Sequence, residues 1–371
     1  MPEAPGQARP VLAAAQPADL AASSVLSCRD VTVRYPGRGG AEETTAVDAV
    51  SFDLARGETL GLVGETGCGK TSLARAILRL QQLAGGQVLL RGRDLAVLRR
   101  EELRRARKDI QCVFQDSAGS LNPRHSVGMI IEEGLAAHGW PARDRRPTVA
   151  ATLRKVGLSE ELTRRYPHEL SGGQRQRVNI ARALAVEPAV LVADEPVSAL
   201  DVSVQSQILN LFAQLRDELG LTCLFVSHNL AVVAYLSDRV AVMYLGRIVE
   251  LAPTEALLAN PLHPYTRALL AAVPSGGRRH EHVVPAAAGP GSEPSAGRAR
   301  EPVAGRAGCR YRDRCPIAQQ ICAQEDPPLV AQADGQHVAC HFAGASRTPA
   351  RQAAPGAPEG GQAGPTPVSA P

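Results

Sequence analysis

Lysine is nearly missing from this chain. Of 41 basic residues only Lys70, Lys108 and Lys155 are lysine, so positions that merely need positive charge have been filled by arginine, and a retained lysine marks a place to examine. No run of about 18 apolar residues occurs, which excludes a helical membrane span. The N-terminal stretch VLAAAQPADLAA contains Gln, Pro and Asp and has no basic cluster ahead of an apolar core, so it fails as a secretory signal. A cytoplasmic setting with reduced thiols is therefore expected. A strong charge of one sign is also lacking: 41 basic against 37 acidic residues leave +4, too weak and scattered for a nucleic-acid surface. Among the eight cysteines there is no CxxC pair, which argues against a zinc ribbon.

What is present suffices for one large domain with appendages: 371 residues, 44% of them hydrophobic. Residues 1–24 are rich in Ala and Pro, and 274–306 and 343–371 in Pro, Gly and Ala, so these read as a disordered tail, a linker and a second tail. They leave an ordered body at 25–273 and a cysteine-rich segment at 307–342. Within the body ETLGLVG (58–64), IQCVFQ (110–115), AVLVAD (189–194) and LTCLFVSH (221–228) are short apolar runs of the buried-strand kind. Helical spacing of Leu, Ile and Ala appears at 72–83 and at 203–219, the second ending on Gly220 as a C-cap would. Strand–helix alternation predicts a mostly parallel α/β sheet, and RVAVMYLGRIVELA (239–252) predicts a hairpin at its end.

Three stretches carry chemistry. GETGCGKTS (64–72) fits the phosphate-loop pattern between an apolar strand and a helix, the context such a match requires. Its glycines let successive backbone N–H groups turn inward as an anion nest, Lys70 reaches the β/γ-phosphates, and Thr71 offers a hydroxyl to Mg²⁺. AVLVADEP ends a buried strand on Asp194 and Glu195, at the strand end where α/β sheets place ligands. One acid could hold Mg²⁺ and the next could polarise an attacking water. In ELSGGQRQRVNIARAL, Ser171, Gly172 and Gly173 precede a helix and form a second anion-binding cap with nothing else in the chain to cap.

In this combination the chain resembles the ATP-binding subunits of ABC transporters over about 28–273. It has Walker A GETGCGKT, Q-loop Gln115, signature LSGGQ, Walker B LVADE, D-loop SALD (Ser198–Asp201) and the switch His228, in the family's order. SLNPR, YPHELSGGQRQR, DEPVSALDVSVQ, HPYTRALL and the cysteine tail narrow the resemblance to peptide (dipeptide, oligopeptide, nickel-type) importers, most like their second ATPase subunit. That resemblance implies a P-loop ABC ATPase fold, a RecA-like mixed sheet with a helical subdomain at about 116–178, plus a small cysteine-rich C-terminal extension. It implies ATP and Mg²⁺ bound by Gly64, Glu65, Thr66, Gly67, Cys68, Gly69, Lys70, Thr71 and Ser72, with Thr71, Gln115 and Asp194 toward the metal. Tyr35 would stack on adenine, although an exposed turn tyrosine is a competing reading. Glu195 would act as base, with Gln115 and His228 sensing the γ-phosphate and water. Ser171 and Gly173 would act in trans, capping ATP bound to the partner subunit's phosphate loop, and Gly172, Gln174 and Asp201 would be further nucleotide-binding positions. The implied partners are two transmembrane permease subunits, a homologous ATPase and, through the complex, an extracytoplasmic solute-binding protein, at the cytoplasmic face of the membrane. A soluble ABC ATPase of DNA repair or translation is the competing class; it typically carries coiled-coil inserts or two cassettes, and this chain has neither.

Cys28, Cys68, Cys112 and Cys223 fall singly in strands or the phosphate loop and read as small packing residues. Cys309, Cys315, Cys322 and Cys340 are clustered in a segment with little apolar core of its own, the kind that needs a metal or disulfides to hold shape. Four cysteinyl ligands are what a [4Fe–4S] cluster takes, and the family resemblance points the same way; zinc, disulfides and free thiols remain open. Such a cluster could act as an iron or redox sensor with the ATPase as its effector. Arg310, Arg312 and Arg314 around the first two cysteines could offset a cluster's charge or simply be solvated.

Overall fold

The computed structural model describes residues 24–37, 43–116, 119–273, 307–332 and 335–344. The expected tails and linker lie almost entirely outside these residues. Ser117 and Ala118, in the unusual QDSAG after Gln115, also lie outside them.

Among the described residues the framework is a sheet of eight strands in the order β11 (Val330–Ala331), β12 (His337–Val338), β10 (Arg247–Pro253), β9 (Arg239–Tyr244), β3 (Thr59–Val63), β8 (Cys223–Ser227), β7 (Val190–Asp194) and β6 (Ile110–Val113). Its parallel centre is β3, β6, β7, β8 and β9. These strands are apolar at nearly every position because both faces are covered. Along β7, Leu191 and Ala193 enter one core while Val190 and Val192 enter the other, and Phe225 and Leu224 of β8 divide the same way. A second, antiparallel sheet of β1 (Ser24–Tyr35), β2 (Thr44–Ala55), β4 (Gly85–Leu90) and β5 (Arg93–Asp94) closes over one face.

The helix after β3, α1 (Lys70–Ile77), is shorter than the 72–83 expected, because the chain turns at Arg79, whose φ is +57°. After α2 (Arg100–Asp109) and β6 come α3 (Val127–Ala137), α4 (Ala142–Lys155) and α5 (Gly172–Leu184), which pack together as the helix-rich insert. Then α6 (Val202–Leu219) ends where expected, on Gly220 at φ +60°. The next helix, α7 (Leu230–Leu236), lies so close to β3 that a Cβ on Gly61 would stand 2.0 Å from Val233 Cγ1. Among the described residues no helix is long and apolar enough to cross a membrane.

The hairpin β9–β10 (Arg247–Pro253) forms as expected, but it is not the end of the sheet. The cysteine segment adds β12 (His337–Val338) antiparallel to β10, with Glu250 opposite Val338, and β11 (Val330–Ala331) beyond it. Two-residue strands carry no periodicity, which is why they escape sequence reading. The segment is thus built onto the nucleotide fold, by backbone pairing as well as by side chains.

Two buried polar groups fix the chain between these parts. Glu250 is fully buried and accepts the N–H groups of Leu262 (2.8 Å) and His263 (2.9 Å), positioning the start of α9 (Pro264–Ala271), which follows α8 (Thr254–Ala259). His263 caps α9: its Nδ1 accepts the Tyr265 N–H at 3.0 Å. Burial pushes the His263 imidazole down from 6.5 to about 4.

A histidine whose folded pKa is depressed contributes stability above its unfolded pKa and loses it as pH falls. The window here runs from about 6.5 to about 4, worth roughly 3 kcal/mol in full. His263→Asn keeps a capping acceptor without a titrating ring. Thermal unfolding followed across that window should show a flatter acid slope for the variant than for the unaltered chain.

Candidate nucleotide site

The phosphate loop forms because backbone crowds it from both sides. A Cβ on Gly64 would stand 2.1 Å from the Met243 carbonyl oxygen, and one on Gly69 (φ +109°) 2.2 Å from that of Ala46. Only glycine fits either place. Lys70, 4% exposed, folds back so that Nζ donates to the carbonyls of Gly64 (2.8 Å) and Glu65 (3.0 Å), positioned over the nest of backbone N–H groups. Thr66, Gly67 and Cys68 complete the loop, with Gly67 at φ +79° and Cys68 buried.

The second acidic strand end meets this loop. Thr71 Oγ1 donates to Asp194 Oδ1 at 3.3 Å. Burial raises the Asp194 carboxyl above the usual range, and neighbouring Glu195 adds to this, while the Thr71 hydrogen bond and the charges of Arg75 and Lys70 oppose it. These oxygen donors suit a hard divalent cation, whose charge would favour the ionised carboxylate.

Glu195 stands at the centre of a triad that sequence reading had only as three separate motifs. Its Oε2 accepts from Gln115 Nε2 at 3.2 Å and lies 3.4 Å from His228 Nδ1. The backbone at Glu195 is left-handed, φ +47°, held by its N–H to the Val226 carbonyl and by Ser198, whose N–H and hydroxyl both donate to the Glu195 carbonyl. A strained backbone pinned on both sides, carrying a carboxylate between an amide and an imidazole, is the arrangement expected where a water must be oriented.

Tyr35, at the end of β1, donates from its hydroxyl to Ser72 Oγ at 3.2 Å, which places its ring beside the first turn of α1. The signature cap lies elsewhere. Ser171 Oγ accepts the Gln174 N–H (3.2 Å) and Gln174 Oε1 accepts the Ser171 N–H (3.0 Å), so this reciprocal cap is closed on itself. Beside it a Cβ on Gly173 would approach Val204 of α6 to 2.8 Å, while Gly172 faces Leu200. Asp201 stands exposed at the N-terminus of α6, its carboxylate making no capping hydrogen bond.

Two contacts to the phosphate loop had no sequence signal beyond the HPYTRALL run. Tyr265 of α9 is fully buried, and its hydroxyl oxygen accepts the Glu65 N–H at 2.9 Å. Arg314 of the cysteine segment donates from Nη1 to both Glu65 carboxylate oxygens, at 2.9 and 3.1 Å. Tyr244, Tyr265 and Tyr311 meet here with ring centroids 4.6 to 5.5 Å apart, half of the six tyrosines in a chain with 3% aromatic residues.

The arginines flanking the cysteines bond to acids and carbonyls and not to the thiols, with the Arg314 side chain still half exposed to solvent. Arg310 binds Asp48 and the Leu245 carbonyl, Arg312 the Ala307 and Ala323 carbonyls, and Arg314 binds Glu65. All eight cysteines are free thiols, so no disulfide staples the segment. Cys309, Cys315, Cys322 and Cys340 lie close enough for their charges to act on one another. Among the described residues, however, no group of three or more His, Cys, Asp or Glu side chains converges tightly enough to hold a single metal ion. Burial pushes Cys309 up to about 11 and raises Cys315 and Cys340. Against this, three of the four sulfurs face the backbone N–H two residues on: Tyr311 for Cys309, Ile317 for Cys315 and Phe342 for Cys340.

Comparison with known proteins gives the same assignment. Residues 47–198 match the ABC transporter family, and 249–322 match the C-terminal region of oligopeptide/dipeptide transporters, which includes three of the four clustered cysteines. A probable peptide ABC transporter ATP-binding protein of Sinorhizobium fredii is 48% identical over 331 residues, covering 86% of this chain and 90% of the relative. An oligopeptide transport ATP-binding protein of Bacillus subtilis is 46% identical, covering 86% and 97%. Among solved structures, a dimeric ATP-binding cassette in a post-hydrolysis state with ADP and phosphate is 29% identical with a TM-score of 0.56, covering 62% of this chain and 98% of the cassette. With the loop, the acid pair and the signature cap in place on this fold, the chain belongs to the ATP-hydrolysing ATP-binding subunits of peptide-transport ABC systems.

Proposed function

We propose that this subunit powers import of peptides or related small solutes through two permease subunits at the cytoplasmic face of the membrane. It does so with a homologous ATPase subunit as partner and an extracytoplasmic solute-binding protein supplying the cargo. The observation that carries the mechanism is Glu195 held between Gln115 and His228. In this reading Glu195 takes the proton of the attacking water, Gln115 and His228 fix that water and the γ-phosphate, and Lys70 leaves its carbonyl partners for the phosphates. Thr71, Gln115 and Asp194 would hold Mg²⁺, which supplies charge neutralisation on the phosphates. Tyr35 stacks on the adenine.

In the same reading the Ser171–Gln174 cap acts in trans, on nucleotide bound to the partner's phosphate loop, with Asp201 at the same interface. ATP then favours the closed dimer and hydrolysis releases it, a differential affinity able to drive the permeases between two states. The relatives named for peptide transport favour this over a soluble role in DNA repair or translation.

For the cysteines we retain a [4Fe–4S] cluster. Four cysteinyl sulfurs are what such a cluster takes, and Cys309, Cys315, Cys322 and Cys340 share one segment and act on one another's charge.

Glu195→Gln should bind ATP with near-unaltered affinity and hydrolyse it about 10²-fold or more slowly in the assembled transporter. Turnover close to the unaltered rate would remove Glu195 from its role. Lys70→Ala should weaken ATP binding, and unchanged affinity would refute the phosphate-loop assignment. Anaerobically purified full chain should be coloured and contain iron and acid-labile sulfide in equal amounts. A colourless, iron-free protein loaded with zinc would overturn the cluster.

A further inference from the structure

The phosphate loop contains a carboxylate of the same sign as its ligand. Glu65 is the first residue after Gly64, and in an otherwise cationic nest an unpaired carboxylate there would repel a triphosphate. One partner for it comes from 249 residues away in the chain. Arg314, in the turn between Cys309 and Cys315, donates to both carboxylate oxygens and so meets them as a single planar group. The guanidinium is itself held in place, its centre 5.9 Å from the Tyr244 ring and 5.7 Å from the Tyr311 ring. On the other side of the same residue, the Tyr265 hydroxyl takes the Glu65 N–H. The entrance of the loop is therefore gripped at backbone and side chain by two segments that lie beyond the last nucleotide motif.

We propose that Arg314 is a positioning residue of the nucleotide site. It neutralises Glu65 and fixes the mouth of the phosphate loop, so the cysteine segment sets the affinity for MgATP without touching the reacting atoms. This rests on the reading of residues 64–72 as the phosphate site. Arg314 is 52% exposed on its side chain, so its influence is moderate and sensitive to ionic strength. It stands apart from Glu195, Gln115 and His228, so the effect falls on binding and not on the rate at saturation.

The test is equilibrium binding of MgATP to the full-length chain, together with ATPase kinetics of the assembled transporter. Arg314→Ala should weaken binding roughly fivefold and raise KM in parallel, with only part of the loss recovered in Arg314→Lys, which restores the charge but not the two-pronged contact, and with the difference shrinking as salt is raised. Adding Glu65→Gln to the Arg314→Ala chain should restore binding to within about twofold, because the charge that Arg314 offsets is gone. A purely structural role for Arg314 would give a defect that neither salt nor the second substitution relieves, and that result overturns the proposal, as does unchanged binding in Arg314→Ala. Lys70→Ala serves as the reference. If it abolishes binding while the Arg314 variants do nothing, only the positioning role fails; if Lys70→Ala also leaves binding intact, the phosphate-site reading fails with it.

Discussion

Everything in this protein hangs on two carbonyls standing where side chains would otherwise be. The Met243 oxygen and the Ala46 oxygen approach the phosphate loop so closely that Gly64 and Gly69 can carry no Cβ. That proximity comes from opposite sources: β9 runs parallel to β3 in the main sheet, and β2 belongs to the antiparallel sheet laid over it. The loop is therefore a junction of two sheets, and its geometry is a product of how they pack. Further backbone bonds tie the junction, from Asp48 N–H to the Gly246 carbonyl and from Gly246 N–H to that of Cys68. A substitution in either sheet that alters their spacing acts on the nucleotide site directly.

The same junction recruits α9 and the described cysteine segment. Glu250 draws the start of α9 toward β10 by accepting two backbone N–H groups, and α9 in turn presents Tyr265 to Glu65. Arg310 reaches Asp48 on β2 and the Leu245 carbonyl at the hairpin tip, while Arg314 reaches the loop itself. A few aromatic rings gathered at one point fill the space between these anchors. The cost of burying Glu250 and His263 is offset by their hydrogen bonds, an arrangement that demands one register and tolerates no slip.

Much of the catalytic side was legible in the sequence because its signals are local. A glycine pattern between strand and helix, acids at a buried strand's end and a Ser-Gly-Gly helix start each announce their chemistry within ten residues. The parallel strands were legible for the same reason, since burial on both faces leaves an unbroken apolar run. The antiparallel sheet was not: register shifts between β1 and β2, with left-handed turns at Asp30 and Ala49, break the alternation that would have revealed it. Nor was the docking of the cysteine segment. Its strands are two residues long, and the pairing of Arg314 with Glu65 joins positions that no periodicity relates. Of the three flanking arginines, Arg310 and Arg314 serve the body and Arg312 bonds carbonyls within the segment itself.

One consequence reaches beyond catalysis. β12 and β11 cover what would otherwise be the open margin of β10, a strand whose residues from Ile248 to Ala252 are buried. An uncovered margin of that kind offers a row of free backbone groups to any neighbouring chain. The cysteine segment thus also covers a sheet edge that would otherwise be open to pairing with another chain.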